Sequence, residues 1–286
     1  MRSFLRAFLL LSIVVSCNNS EKNAMGQVDI TKWNLGVALW TFHTVDFPHA
    51  LALADSTGLA YIEPNTFQKA GAELKDSLIL QLSAVGIDKL KTLIAKQGLR
   101  AESIYIVGDS TISSWQRQFE LAQQLGVNFV TAEPPLQLWD SIDSLAGVYD
   151  IKVAIHEHWK GLSHYWNPDT VLLAIKSHPN FGACADLGHW PKSGIDPLEA
   201  IKKLEGHIIS LHLKDIAAFN QPDLKDVPVG TGIVNFPAVF DELRKQQFKG
   251  PIYIERDAEE QPNNLLTVIN TVRYFNKQIA GLQQCK

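Results

Sequence analysis

The chain has 286 residues, 46% of them hydrophobic and 20% charged, and its 26 Lys and Arg against 30 Asp and Glu leave a net charge of −4. This composition excludes a disordered chain, which carries more charge and fewer apolar residues, and a multi-span membrane protein, which needs several apolar runs of about twenty residues. The mild acidity argues against nucleic acid as the main partner, because phosphate binding needs a concentrated basic face. A small molecule is the expected ligand, and the length suits one large α/β domain of the kind that commonly reaches about 250 residues.

Arg2 and Arg6 flank the start of an apolar run, Phe8 to Val15, that is too short to span a bilayer and ends at Ser16-Cys17. Val14-Val15-Ser16-Cys17 resembles the bacterial lipobox, in which the cysteine is lipidated and becomes the first mature residue. Residues 1–16 therefore read as a signal peptide, 17–32 as the lipidated Cys17 with a polar tether, and 33–286 as the folded domain. The expectation is an exported lipoprotein, periplasmic or on the cell surface, that meets the membrane only through its anchor. Cys184 lies in an apolar run and Cys285 beside the C-terminus, which reads as a buried small residue and a tail residue, not as a disulfide.

From Leu35 onward, strand-like runs alternate with segments of helical period. The predicted strands are 35–39, 60–62, 100–106, 128–131, 152–155, 181–185, 208–213 and 251–254. The predicted helices are 48–56, 86–96, 113–125, 139–148, 168–176, 197–204, 237–246 and 264–279, with Pro168, Pro197 and Pro237 in first turns, where a missing N–H costs nothing. Strict alternation implies parallel strands, and eight such units close into a (β/α)8 TIM barrel forming a single domain. An open doubly wound sheet is disfavoured because no glycine-rich phosphate loop follows the first strand.

Active sites of such barrels lie at the C-terminal strand ends. There the chain places Glu133 after the fourth strand, His156-Glu157-His158 after the fifth, Asp186 and His189 after the sixth, His212 and Lys214 at the seventh, and Glu255 and Asp257 at the eighth. The period of two puts His156 with His158, His212 with Lys214, and Glu255 with Asp257. Carboxylates and imidazoles converging in an apolar interior are costly unless a cation neutralises them, and this mixed nitrogen and oxygen set suits Mn²⁺, Zn²⁺, Co²⁺ or Mg²⁺.

The stretches Ala185-Asp186-Leu187-Gly188-His189-Trp190, Leu211-His212-Leu213-Lys214-Asp215, Val227-Pro228-Val229-Gly230-Thr231-Gly232 and Ile254-Glu255 together resemble the xylose isomerase-like TIM barrels, the sugar isomerase/epimerase superfamily that also contains endonuclease IV. The resemblance implies that Asp186, His212 and Glu255 are metal ligands and that His189 contacts substrate. It also shows a departure: ketose 3-epimerases carry a glutamate at the end of strand five, where this chain has His156. Either Glu133 or His156 completes the metal shell. The His156-x-His158 pair is similar to a sub-branch found in many exported members.

The activity this implies is proton abstraction next to a sugar carbonyl through a metal-stabilised enediolate, in an isomerase or epimerase. Glu255 or His156 would act as the base, and Lys214 or His158 would donate to the developing oxyanion. The alternative is a lyase or dehydratase that eliminates the aglycone from 3-keto-glycosides, and a second alternative is a non-catalytic sugar-binding lipoprotein. Endonuclease activity fits poorly with net negative charge and an export signal. Trp40, Trp190 and Glu63 are expected at the pocket wall, whereas His43, His49, His164, His178 and His207 read as surface or loop residues.

Overall fold

Short β-branched runs become strands here because their backbone groups are satisfied only by neighbouring strands, and amphipathic segments become helices because one face can be buried against that sheet. The structure, a computed structural model, describes residues 29–260 and 263–284; the segment expected to be an export signal, Cys17 and Cys285 lie outside the described residues. The strands are β1 (Leu35–Ala38), β2 (Tyr61–Glu63), β3 (Arg100–Ala101), β4 (Ser103–Tyr105), β5 (Phe129–Ala132), β6 (Lys152–His156), β7 (Phe181–Asp186), β8 (Ile208–Leu213), β9 (Asp215–Ile216), β10 (Asp226–Val227) and β11 (Ile252–Ile254). The helices are α1 (Phe47–Ser56), α2 (Ala84–Lys96), α3 (Ile112–Leu125), α4 (Trp139–Tyr149), α5 (Pro168–Ile175), α6 (His189–Lys192), α7 (Pro197–Lys203), α8 (Phe236–Lys245) and α9 (Leu265–Gln284).

Helix starts follow local chemistry. Asp46, Asn167, Asp196 and Asn235 each accept a hydrogen bond from a first-turn amide, and a proline stands in the first turn of each of these four helices. No helix among the described residues is long and apolar enough to cross a membrane.

Nine strands form one parallel sheet in the order β3-β2-β1-β11-β8-β7-β6-β5-β4. The expected single third strand is broken at Glu102. Arg100–Ala101 pairs with β2 and Ser103–Tyr105 pairs with β5, so the two halves of one strand form the seam that closes the barrel. The barrel predicted from alternation is thus the fold. β9 and β10, absent from the sequence reading, form a small antiparallel ribbon after β8.

That ribbon explains the glycine loop. The Asp215 carboxylate accepts from the amides of Ile216, Gly230, Gly232 and Val234 at 2.8–3.2 Å. A Cβ on Gly232 would fall 2.3 Å from Asp215 Oδ1, so only glycine lets the loop wrap this carboxylate.

Ala154, Cys184 and Tyr253 belong to a small buried apolar cluster with Ala38 and Phe129. Each of the three stands two residues before His156, Asp186 or Glu255, so strand alternation seats the polar residues one layer above this apolar plug. Cys184 is fully buried, as its sequence context implied.

Candidate metal and sugar site

The C-terminal ends of β6, β7, β8 and β11 bring His156, Asp186, His212 and Glu255 together, all buried, with one ligand atom from each within 4.8 Å of the others. His156 Nε2 lies 3.6 Å from Asp186 Oδ2 and 4.0 Å from Glu255 Oε2. His212 Nδ1 donates to Glu255 Oε2 at 2.7 Å, and its Nε2 donates to Glu63 Oε2 at 2.8 Å. Asp186 Oδ1 accepts from the amides of Gly188 and His189 at 2.8 and 3.1 Å, which aims Oδ2 at the cluster. The Lys214 ammonium lies 3.2 Å from both Asp186 Oδ2 and Glu255 Oε2 and donates to Asp257 at 2.9 Å. It reaches them because residue 188 is glycine: a Cβ there would lie 2.5 Å from Lys214 Cγ.

Whether a cation fits is answered by the unpartnered atoms. Both ring nitrogens of His156 are buried without a hydrogen-bond partner, and Asp186 Oδ2, likewise without one, forms an ion pair with Lys214 at 3.2 Å. An unsatisfied buried polar atom costs about 1–3 kcal/mol, and a divalent ion at this point would satisfy Oδ2 and one imidazole nitrogen together. Burial pulls the His156 pKa down, which keeps the ring neutral and its lone pair available. Burial opposes charge on Asp186, but His189 and Lys214 outweigh it and hold the carboxyl well below the usual range. The same contest on Glu255 is won by His212 and Lys214, which lower its pKa.

His212 behaves oppositely. Burial disfavours its charge, but Cys184, Glu255 and Glu63 raise its pKa well above that of a free imidazole. Both of its nitrogens face carboxylates, so ligation requires loss of the Nδ1 proton. Divalent-cation affinity is therefore expected to fall as pH drops, by up to about tenfold per unit while this proton competes. Isothermal titration with Mn²⁺ between pH 6 and 9 checks this, and a flat profile would exclude His212 as a ligand.

Glu133 stands apart from the four-residue set. It accepts from His158 Nδ1 and, at 2.5 Å, from Ser163 Oγ, and burial of Glu133 is outweighed by the His158 contact, which lowers its pKa. Glu133, His156 and His158 also bring one ligand atom each within 4.8 Å of the others, so His156 is common to both candidate ligand groups, and Glu133 orients His158, whose ring opens on the cavity. Glu63 lines the cavity as expected and, almost fully buried, also accepts from Ser103 and Thr131 and fixes the His212 ring. Glu157, between the two histidines, accepts from the Asp186 amide at 2.8 Å, and burial together with Asp186 raises its pKa well above the carboxylate range.

Of the cluster, His156 and Glu255 line a cavity of ≈640 Å³, together with Trp40, Glu63, Tyr105, His158, Trp159, His189, Lys192 and Lys214, while Asp186 and His212 are fully buried and outside the lining. Trp190, expected at its wall, is instead fully buried and absent from the lining, because the turn at Leu187-Gly188 starts α6 and rotates it into the core. Two of the histidines read as surface residues are also corrected. His43 stacks on Trp40 at 4.3 Å and lines the cavity. His178 is buried, bonded to Ala174 O and, at 3.1 Å, to Asp140. Tyr105 and Lys192 were not foreseen, although Tyr105 ends its strand at the same depth as the singled-out residues.

A parallel barrel with a buried imidazole and carboxylate cluster at its C-terminal strand ends defines a class of small-molecule site in which polar groups converge on the barrel axis. The chain belongs to the xylose isomerase-like TIM barrel family, whose model matches residues 51–276. L-ribulose-5-phosphate 3-epimerase UlaE of Salmonella paratyphi A is 30% identical over 104 residues, 36% of this chain and 32% of that protein, so the match spans about a third of the relative. A crystal structure of an uncharacterized protein from Parabacteroides distasonis ATCC 8503 is 32% identical with a TM-score of 0.68, covering 89% of this chain and 100% of that one. The IolI protein, crystallised with a zinc atom, shares the fold at 17% identity and a TM-score of 0.73, covering 87% of this chain and 98% of that one.

Proposed function

We propose that the protein is a divalent-metal-dependent sugar isomerase or epimerase that moves a proton next to a sugar carbonyl. The observation that carries this reading is the buried His156, Asp186, His212 and Glu255 set, with unpartnered atoms at the floor of an open cavity. A divalent ion held by these four side chains supplies Lewis acidity to a carbonyl and its neighbouring hydroxyl.

The chain's own groups supply the proton chemistry. Glu255, kept ionised by His212 and Lys214, is the base within the cluster that faces the cavity. His158, oriented through Nδ1 by Glu133, presents its other ring nitrogen to the cavity as a second proton carrier. Burial opposes charge on Lys214, but Asp186, Asp257 and Glu255 overcome it and keep the ammonium charged to donate to an oxygen that gains charge. His189, 3.0 Å from the Lys214 Nζ, contacts the sugar at the floor, and Trp40 lines the same cavity. Export and lipidation at Cys17 are part of the same proposal, checked by palmitate incorporation that Cys17→Ala abolishes.

The test is NMR in D₂O of the Mn²⁺-loaded protein with free ketoses and 3-keto-glucosides, against an EDTA-treated control. Deuterium entering a recovered or epimerised sugar without aglycone release is the expected result. Aglycone release with an unsaturated keto product would replace it with a lyase, and the absence of metal-dependent exchange would leave a sugar-binding lipoprotein.

A further inference from the structure

Aromatic side chains run from the buried cluster to the cavity mouth along two arcs of the barrel. On the β1–β4 arc, Tyr105 meets His156 at 5.4 Å between ring centroids, Phe67 meets Tyr105 at 6.0 Å, and Trp40 meets Phe67 at 5.7 Å. Trp40 is fixed in place, because its Nε1–H donates to Asp257, the carboxylate that also holds Lys214. On the β6–β7 arc, Trp159 lies 5.4 Å from His189, and the Lys192 ammonium sits 4.2 Å from the Trp159 ring centroid. The sheet order separates these arcs by β11 and β8 on one side and by β5 on the other, so the two aromatic walls rise from different sectors of the rim, joined at the floor by the His156 and His158 rings, and both line the cavity.

The mouth adds apolar side chains to the charged Asp223, Lys225 and Glu259. Phe67, Val107 and Leu162 line the cavity yet are 37%, 55% and 61% exposed. Large apolar side chains exposed singly are ordinary, but a group around one opening marks a binding surface. The ≈640 Å³ volume falls among the pockets of about 300–1,000 Å³ that enclose drug-sized ligands, and one hexose is much smaller than these. His156, Lys214 and Glu255 are buried at the floor, whereas Asp223, Lys225 and Glu259 line the cavity at its exposed rim.

We propose that the substrate carries a second ring: the reacting sugar sits on the floor beside His156 and Glu255, and a glycosyl ring attached to it is clamped at the mouth between the Trp40–Phe67 wall and Trp159. A pyranose suits this clamp because its axial C–H face packs on aromatic rings while its hydroxyl edge remains in water at the rim. The inference rests on the sugar reading of the site and narrows it to disaccharide-sized substrates.

Tryptophan fluorescence titration of the Mn²⁺-loaded protein compares D-fructose with lactulose, maltulose and isomaltulose, three ketoses that carry a second hexose ring. At least one disaccharide is expected to bind about tenfold or more tightly than fructose, the size of one stacked ring contact. Phe67→Ala is expected to close that gap to about twofold, a loss of the same order as one aromatic contact, whereas Val148→Ala, on the exposed surface and absent from the cavity lining, leaves it open. Equal affinity for fructose and all three disaccharides removes the second ring and leaves the sugar reading standing. A gap that survives Phe67→Ala overturns the clamp, and binding of none of the four sugars removes both readings.

Discussion

Asp186→Asn is expected to weaken divalent-cation binding by about a thousandfold and to lower kcat/KM by a similar factor, beyond the roughly 10–100-fold that loss of an outer hydrogen-bond partner of a ligand costs. The substitution keeps an acceptor for the Gly188 and His189 amides, so the turn into α6 survives. It removes the charge at Oδ2, the buried atom that has no hydrogen-bond partner and that faces His156 and Lys214. With Asn in place, Lys214 loses one of its three carboxylates and the cluster loses one negative charge, so a dication gains less on entering. Calorimetric titration with Mn²⁺ measures the affinity, and thermal unfolding checks that the fold is intact. Unchanged affinity with lost activity would mean that Asp186 acts on substrate and that no cation is held there.

Arg256→Leu should cost about 3–5 kcal/mol of stability, the usual penalty for removing one partner of a buried ion pair. Arg256 is 1% exposed, donates through Nε to the Asp226 carboxylate and through Nη1 to Glu260 at 3.1 Å. Asp226 also accepts from the amides of Asp257 and Ala258, so it ties β10 to the chain just after β11. Without the guanidinium a carboxylate stays buried. Burial already raises the Asp226 pKa against the pull of Arg256 and Lys214, so the variant should recover part of its loss at acidic pH, where this carboxyl is protonated. A melting temperature lower by roughly 6–20 °C is expected at this chain length. Because Asp257 anchors both Trp40 and Lys214, sugar affinity should fall as well. A variant as stable as the parent would show that Asp226 needs no cation.

Most element boundaries were legible because their causes are local. The strand 208–213 matches β8 at both ends, and the helix starts at Pro168 and Pro197 coincide with α5 and α7, since caps and first-turn prolines act over a few residues. The break at Glu102 was not legible. A run from Arg100 to Ile106 is continuous in its apolar pattern, and only closure of the barrel demands that its two halves pair with different neighbours. The β9–β10 ribbon depends on Asp215 gathering amides up to nineteen residues away, which no local pattern reveals.

The site divides along the same line. Strand-end position and the period of two sufficed to single out His156, Asp186, His212, Lys214 and Glu255, because the barrel topology turns sequence depth into spatial depth. The burial of Trp190 and His178, and the hydrogen bonds and contacts of Glu63 and His43, depend on which strands are neighbours and how each loop turns, so only the tertiary structure decided them. Sequence alone determined the fold class and the chemistry available at the barrel mouth, since alternation and residue type are properties of the chain. Tertiary structure decided which of those groups meet, because a hydrogen bond or a ligand set requires atoms within about 3–4 Å, and that distance is set by packing between segments far apart in the chain.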